Sequence, residues 1–252
     1  MENTSYNPYS LEGKIILITG ASSGIGRAAS IECSKLGATV IITARNEKRL
    51  QETLSLMEGE GHRYFVCDLA KTDNISVLVS QLPQIDGFIS NAGINVMLPI
   101  SFMNDDDVKS IFQVNTVSPM LLLKELVKKK KINKYASVVY TSSMAGIGAA
   151  AVGNGIYTAS KGAISSFIKV AALELAPRKI RVNAVCPGMT ETSMIYDDSL
   201  NNEQLQKDME RYPLGRYGDP KDIAWAMIYL LSDASAWITG INLVIDGGLT
   251  IR

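Results

Sequence analysis

Thr19-Gly20-Ala21-Ser22-Ser23-Gly24-Ile25-Gly26 decides the fold. It follows a short apolar run at 14–19 and opens an apolar-periodic stretch at 25–36 that Gly37 closes. This reads as strand, tight turn and helix. A helix start presents unpaired N–H groups and partial positive charge, which suits a pyrophosphate. Glycines let the backbone turn sharply and come close to a ligand. The spacing Gly-x3-Gly-x-Gly departs from Gly-x-Gly-x-x-Gly, but the mechanics are the same. Gly20, Ser22, Ser23, Gly24, Ile25 and Gly26 are the candidate phosphate contacts.

The same alternation continues outward. Strands are expected at 14–19, 39–43, 64–67, 85–90, 137–141, 181–186 and 241–245. Between them, helices are expected at 25–36, 47–57, 73–81, 105–115, 119–130, 157–176 and 220–231. Near-continuous apolar strands alternating with helices imply a parallel sheet covered on both faces. No internal linker, repeat or low-complexity segment divides the chain, so residues 1–252 read as one doubly wound α/β domain. Residues 1–10 are polar and read as an N-terminal arm without the basic and apolar regions of a signal peptide.

Composition excludes several functions. Lys plus Arg (25) equals Asp plus Glu (25), so the basic bias of a nucleic-acid binder is missing. No apolar run approaches the ~18 residues of a membrane span. Cys33, Cys67 and Cys186 lack metal or disulfide spacing and read as buried thiols in a reducing, cytoplasmic setting. His62 has no metal-ligand company, and no metal is expected.

The second strand ends Thr43-Ala44-Arg45-Asn46. A carboxylate here would hold the ribose 2′-OH of NAD. Arg45 suits a 2′-phosphate instead, which favours NADP(H) over NAD(H). Its alternative is a surface charge opposite Glu47. Asp68 and Leu69 follow the third strand, toward an adenine edge. Asn91, Ala92 and Gly93 end the fourth strand, where ligands bind in such sheets. Both segments are also ordinary turn chemistry.

Tyr157 and Lys161 stand four apart, on one helical face. A unit charge ~4 Å from a phenol, at an effective dielectric of ~20, favours the phenolate by roughly 4 kcal/mol before desolvation. That would make the tyrosine a usable acid or base near neutral pH. Alone, the pair also fits two surface neighbours.

Taken together, these residues resemble the short-chain dehydrogenase/reductase family. The match runs from Lys14 to Gly248. It includes the TGxxxGxG turn, Asn91-Ala92-Gly93, the serine of Ser142-Ser143, YxxxK at 157–161, and Pro187-Gly188. The resemblance implies a three-layer α/β/α Rossmann fold with a seven-stranded parallel sheet, and a homotetramer or homodimer. It implies Tyr157 as general acid/base and Lys161 as the group that lowers its pKa and holds the nicotinamide ribose. Ser143 would steady the substrate oxygen, and Asn115 would complete a proton relay. Pro187, Gly188, Thr190 and Thr192 would border the carboxamide. The family usually places the serine thirteen residues before the tyrosine; here Ser143 stands fourteen before, and Met144 occupies the usual place. Gly146 keeps the S-x-x-G pattern, so one extra residue is expected within 148–153. Ser142 is the lesser candidate.

The carboxyl third is similar to 3-oxoacyl-(acyl carrier protein) reductases, and equally to sugar, polyol and steroid dehydrogenases. The expected reaction is hydride transfer between NADPH and a small carbonyl or secondary alcohol, or a carrier-bound acyl substrate. A cofactor-sensing member without turnover is the contrasting reading. Residues 190–212, with Glu191, Asp197, Asp198, Asn201 and Asn202, read as a substrate lid or a plain surface helix. The lysine run at 128–131 reads as a solvated helix end, or as a dock for an acidic carrier protein.

Overall fold

A computed structural model describes residues 6–192 and 202–252, with side chains described outside 202–204. Seven strands form one all-parallel sheet: β1 (Ile15–Thr19), β2 (Thr39–Ala44), β3 (Arg63–Val66), β4 (Ile85–Ser90), β5 (Ile132–Thr141), β6 (Arg181–Pro187) and β7 (Asn242–Ile245). Their order is β3-β2-β1-β4-β5-β6-β7. The order reverses between β1 and β4, which opens a crevice at the carboxyl ends of these two strands.

One face of the sheet carries α1 (Gly24–Lys35), α2 (Glu47–Ser55) and α8 (Pro220–Leu231). The other carries α3 (Thr72–Gln81), α5 (Ser118–Lys128) and α6 (Gly155–Leu175). Strand residues alternate between the two cores. Ile16 and Ile18 pack with α1 and α8, and Leu17 packs with α3 and α5. Each is fully buried. Each such side chain is worth about 1.5–3 kcal/mol relative to exposure. Aromatic edges stiffen the second core: Phe88 meets Tyr140 at 6.2 Å and Tyr140 meets Phe167 at 6.0 Å, both edge-on.

Two boundaries differ from expectation. β5 begins at Ile132, five residues before the apolar run. Asn133, Lys134 and Tyr135 hide this start, because the register shifts between Ile85 and Gly87 and Tyr135 takes a positive φ of 68°. Asp86 fills the irregularity, accepting from Ile15 N and from Asn133 Nδ2. The expected helix at 105–115 is shorter: α4 spans Asp105–Phe112 and passes through a π turn, Gln113–Val117, into α5. Such turns carry no propensity signature and often mark functional positions.

Several side readings resolve. Lys129 Nζ donates to Ser76 Oγ at 2.7 Å, and Lys131 Nζ donates to the Leu82 carbonyl, so half of the lysine run fastens α5 to α3 and its following turn. His62 accepts from Val40 N through Nδ1 at 3.0 Å and meets the Glu58 carbonyl through Nε2 at 2.8 Å. The three cysteines are buried and free. In the N-terminal arm, Pro8 O accepts from Ala234 N at 3.0 Å; residues 1–5 lie outside the described residues. No helix among the described residues is long and apolar enough to cross a membrane. Of the lid reading, Asp197, Asp198 and Asn201, with the side chain of Asn202, lie outside the described residues. Its described carboxyl part holds α7 (Asn202–Met209).

α8 starts with a reciprocal cap. Asp219 Oδ1 accepts from Lys221 N at 2.8 Å, and Asp222 Oδ2 accepts from Asp219 N at 2.8 Å, with Pro220 in the first turn. Asp219→Ala is expected to lower stability by about 1 kcal/mol, read as a shift of the urea midpoint with unchanged slope.

Candidate functional site

The crevice at the switch point is a cleft of about 1070 Å³. It runs from Arg45 and Asp68, past the glycine turn, to Tyr157 and Ser143. The turn is built so that no side chain but hydrogen fits. A Cβ on Gly26 would lie 2.3 Å from the Gly20 carbonyl oxygen, and one on Gly20 would lie 2.8 Å from Ala92 Cα. Gly20 and Gly24 also take positive φ, 67° and 51°. Ser23 stands at the N-cap of α1 without a side-chain cap bond, and the first turn carries no acid. The helix start therefore keeps its N–H groups and its positive end for an anion. Arg27 Nη2 holds the turn from behind by donating to Ser22 O at 2.8 Å.

The neighbouring strand ends are tied to this turn. Thr19 Oγ1 accepts from Asn91 N at 3.0 Å and Ala92 N at 3.1 Å. Asn91 Oδ1 accepts from Thr141 Oγ1 at 3.1 Å. Asp68 forms an Asx turn, accepting from Ala70 N at 3.1 Å, and with Leu69 lines the cleft. Pro187, Gly188, Thr190 and Thr192 line it opposite. Thr192 reaches across to the turn: a Cβ on Gly24 would sit 2.9 Å from its Cγ2. Thr190 is fixed by donating from Oγ1 to Gly188 O at 3.2 Å.

Arg45 is exposed and forms no ion pair among the described residues. Glu47, the partner its surface reading required, accepts instead from Tyr64 Oη at 3.0 Å. Arg49 lies one helical turn on and lines the same end of the cleft. Sequence reading passed over Arg49; Arg45 precedes the helix that carries it, so helical spacing gave no signal. This cradle fits a nicotinamide dinucleotide: a pyrophosphate at the bare helix start, an adenosine end beside Asp68 and Arg45, and a nicotinamide end beside Tyr157.

At that far end four side chains meet. Asn115 is 1 % exposed and sits on the π turn. Its Oδ1 accepts from Ile94 N at 2.8 Å, and its Nδ2 donates to Ile94 O at 2.9 Å and Ser160 Oγ at 3.1 Å. Lys161 is 4 % exposed and donates from Nζ to the Thr141 carbonyl at 2.7 Å. A Cβ on Gly93 would lie 3.3 Å from Asn115 Oδ1 and 3.4 Å from Lys161 Nζ, so Gly93 sits closely against both. Ser142 turns away from the cleft chemistry: its hydroxyl donates to Lys161 O at 3.0 Å and meets Ser165 Oγ at 2.7 Å. Ser143 has an extended backbone, φ −163° and ψ 155°, and faces Tyr157. Gly146 packs on α6, its would-be Cβ 2.7 Å from the Lys161 carbonyl carbon.

The electrostatics correct one expectation. Burial pushes the Tyr157 phenol up, with Ser143 pulling the other way. Burial pushes Lys161 down to about 8. Lys161 does not draw the phenol's pKa down in this arrangement. Its ammonium lies over the tyrosine ring, 5.7 Å from the centroid, and its hydrogen bond goes to the strand. Desolvation of two buried groups outweighs their mutual attraction.

Beyond Tyr157 the cleft is walled by Asn95, Asn154, Met189 and Tyr212. Met189 N donates to Tyr212 Oη at 3.1 Å, and Tyr212 packs edge-on against Tyr217 at 5.3 Å. Sequence reading did not single out the two asparagines.

Known proteins share this arrangement. Residues 20–250 match the family model described as "Enoyl-(Acyl carrier protein) reductase". The 3-oxoacyl-[acyl-carrier-protein] reductase of Rickettsia felis is 36% identical over 239 residues, covering 95% of this chain and 98% of that protein. A short-chain type dehydrogenase/reductase from Mycobacterium marinum superposes with a TM-score of 0.88 at 30% identity, over 97% of this chain and 98% of the other. Pseudomonas aeruginosa RhlG, in a complex with NADP at its active site, superposes with a TM-score of 0.90 at 27% identity, over 98% of this chain and 100% of the other. With its glycine turn, its YxxxK pair and its all-parallel sheet, the chain belongs to the short-chain dehydrogenase/reductase family, nicotinamide-dependent oxidoreductases that act on CH–OH groups.

Proposed function

We propose that this protein is an NADP-dependent carbonyl reductase whose proton donor is Tyr157. The observation that carries the reading is the convergence of Ser143, Tyr157 and Lys161 at one end of a cleft, with Asn115 buried behind Lys161, while the other end carries unpaired Arg45. When bound, the nicotinamide supplies hydride to a carbonyl carbon. Tyr157 gives its phenolic proton to the oxygen as charge develops there. Ser143 donates a hydrogen bond to the same oxygen. Lys161 keeps a positive charge beside the phenol, and two of its three N–H groups are free of the Thr141 bond for ribose hydroxyls. Asn115 holds Ile94 and Ser160 in place and so fixes the floor beneath Lys161. A phenol pushed up by burial is protonated at neutral pH, which supports the reducing direction.

Arg45, with Arg49 beside it, suits the 2′-phosphate of NADP, and the NADP complex of the related RhlG structure supports the same preference. The whole chain serves as a single cofactor-binding domain, with residues 190–212 as the substrate lid. A carrier-bound 3-oxoacyl group, as in the name of the Rickettsia felis relative, is one substrate reading. The lysine run supports it weakly, since Lys129 and Lys131 are engaged within the fold. Exposed Val170 and Leu173 on α6 suit pairing with a second copy, as a homodimer or homotetramer. A cytoplasmic location fits the three free thiols.

Two outcomes are expected. NADPH should support a kcat/KM at least about tenfold above NADH, and Arg45→Ala should remove most of that ratio. A higher kcat/KM with NADH contradicts the cofactor reading. The reducing form needs Tyr157 protonated and Lys161 charged. The first holds through the neutral range, because the phenol is pushed up; the second is lost as pH rises through about 8. The kcat/KM for reduction should therefore be flat below pH 8 and fall above it, as measured with a poor substrate so that chemistry limits the rate.

A further inference from the structure

The cleft offers two places for phosphate, and they stand on different elements. The glycine turn leads into α1, whereas Arg45 precedes α2 and Arg49 lies in its first turn. A nicotinamide dinucleotide that carries a 2′-phosphate must meet both places at once, so the spacing between the turn and α2 matters to it. A dinucleotide without that phosphate makes no such demand.

Two side chains that do not line the cleft bridge this spacing: Arg27 of α1 and Thr53 of α2. Thr53 is fully buried. Its hydroxyl reaches Ala21 O in the turn at 3.0 Å and Arg49 O, one helical turn back, at 2.9 Å, one proton serving both. Its oxygen accepts from Arg27 Nε at 3.1 Å. The Arg27 guanidinium makes the same span. Nη2 donates to Ser22 O at 2.8 Å and to Arg49 O at 3.4 Å, and it pairs with Glu52 Oε2 at 3.2 Å. The planar fork of arginine fixes these directions together, which a flexible ammonium would not. The two side chains thus grip consecutive carbonyls of the turn on one side and the Arg49 carbonyl on the other. Plain packing of α1 against α2 needs no such bonds. Gly20 N also donates to Thr43 O at 2.9 Å, and β2 ends at Ala44, just before Arg45. The turn, the end of β2 and the first turn of α2 are therefore one hydrogen-bonded unit.

We propose that Arg27 and Thr53 are positioning residues for cofactor choice. They hold the start of α2, with its arginines, at a set distance from the glycine turn, so that one NADP molecule meets both phosphate sites together. This rests on the NADP reading above and says how the fold sustains that preference. A second site already held at the right spacing binds its phosphate without a further ordering cost. If α2 were loose against the turn, the 2′-phosphate would have to order it, and NADP would lose its advantage over NAD.

The test is titration calorimetry of the whole protein with NADP⁺ and NAD⁺, which differ only in the 2′-phosphate. The wild type should bind NADP⁺ at least about tenfold more tightly than NAD⁺. Thr53→Val removes the hydroxyl at nearly constant shape, and Arg27→Met removes the fork and keeps an apolar stem. Each should shrink the ratio of the two affinities at least about threefold, whereas Thr53→Ser, which keeps the hydroxyl, should preserve it. A loss of folded protein lowers the number of sites titrated and leaves the ratio alone, so a merely structural role would not move this readout. An unchanged ratio in both Thr53→Val and Arg27→Met, or a ratio as low in Thr53→Ser as in Thr53→Val, would overturn the inference. Arg45→Ala separates the two readings. If it collapses the ratio while the Thr53 and Arg27 variants keep it, the NADP reading stands and this one falls. If the wild type binds NAD⁺ as tightly as NADP⁺, the NADP reading falls and takes this one with it.

Discussion

Everything at the reacting end depends on how α6 is pinned to the end of β5. Three contacts converge on Lys161. Its ammonium donates to the carbonyl of Thr141, the last residue of β5. Its own carbonyl accepts from Ser142 Oγ. Its backbone is met so closely by Gly146 that a methyl group there would clash at 2.7 Å. The strand, the short turn after it and the helix are therefore one unit. Ser143 lies inside that unit on one side and Tyr157 one helical turn before Lys161 on the other. Their separation is set by these contacts and not by the number of residues between them.

The pin has an electrostatic consequence. An ammonium that is 4 % exposed, with one carbonyl as its hydrogen-bond partner, pulls toward its neutral form. A phenol in the same place does the same. Burial thus raises the phenol and lowers the ammonium, which at about 8 still keeps its charge at neutral pH. The glycine turn solves the matching problem at the other end of the cleft. There the helix start has neither cap side chain nor acid, and its positive end is left for phosphates. The cleft thus presents positive character along its length, from Arg45 through the bare start of α1 to Lys161, whose ammonium keeps one bond to Thr141. That pattern is of a kind that a dinucleotide would meet.

Most of the architecture was legible because burial writes a strong pattern. The strands covered on both faces are near-continuous Ile, Val and Leu, and the glycine turn stands between the first of them and a helix. What escaped was local and polar. The start of β5 is Asn133-Lys134-Tyr135, which reads as a turn because the strand there is irregular. The π turn that carries Asn115 has no composition of its own. Ser142 and Ser143 face opposite ways, as alternation along the strand requires: one hydroxyl is spent on α6 and the other faces the tyrosine. The expected acidity of Tyr157 failed because spacing in a helix gives proximity but not dielectric. A four-residue interval cannot tell whether both groups are buried.

The account stands on proton donation by Tyr157. The most direct measurement is single-turnover NADPH oxidation by Tyr157→Phe, with NADPH affinity determined on the same sample. Phenylalanine keeps the ring beneath the Lys161 ammonium and removes only the hydroxyl. The account predicts that the rate falls by about 10²–10⁴ while NADPH binding changes only a few-fold. Turnover at the wild-type rate in that variant would contradict it.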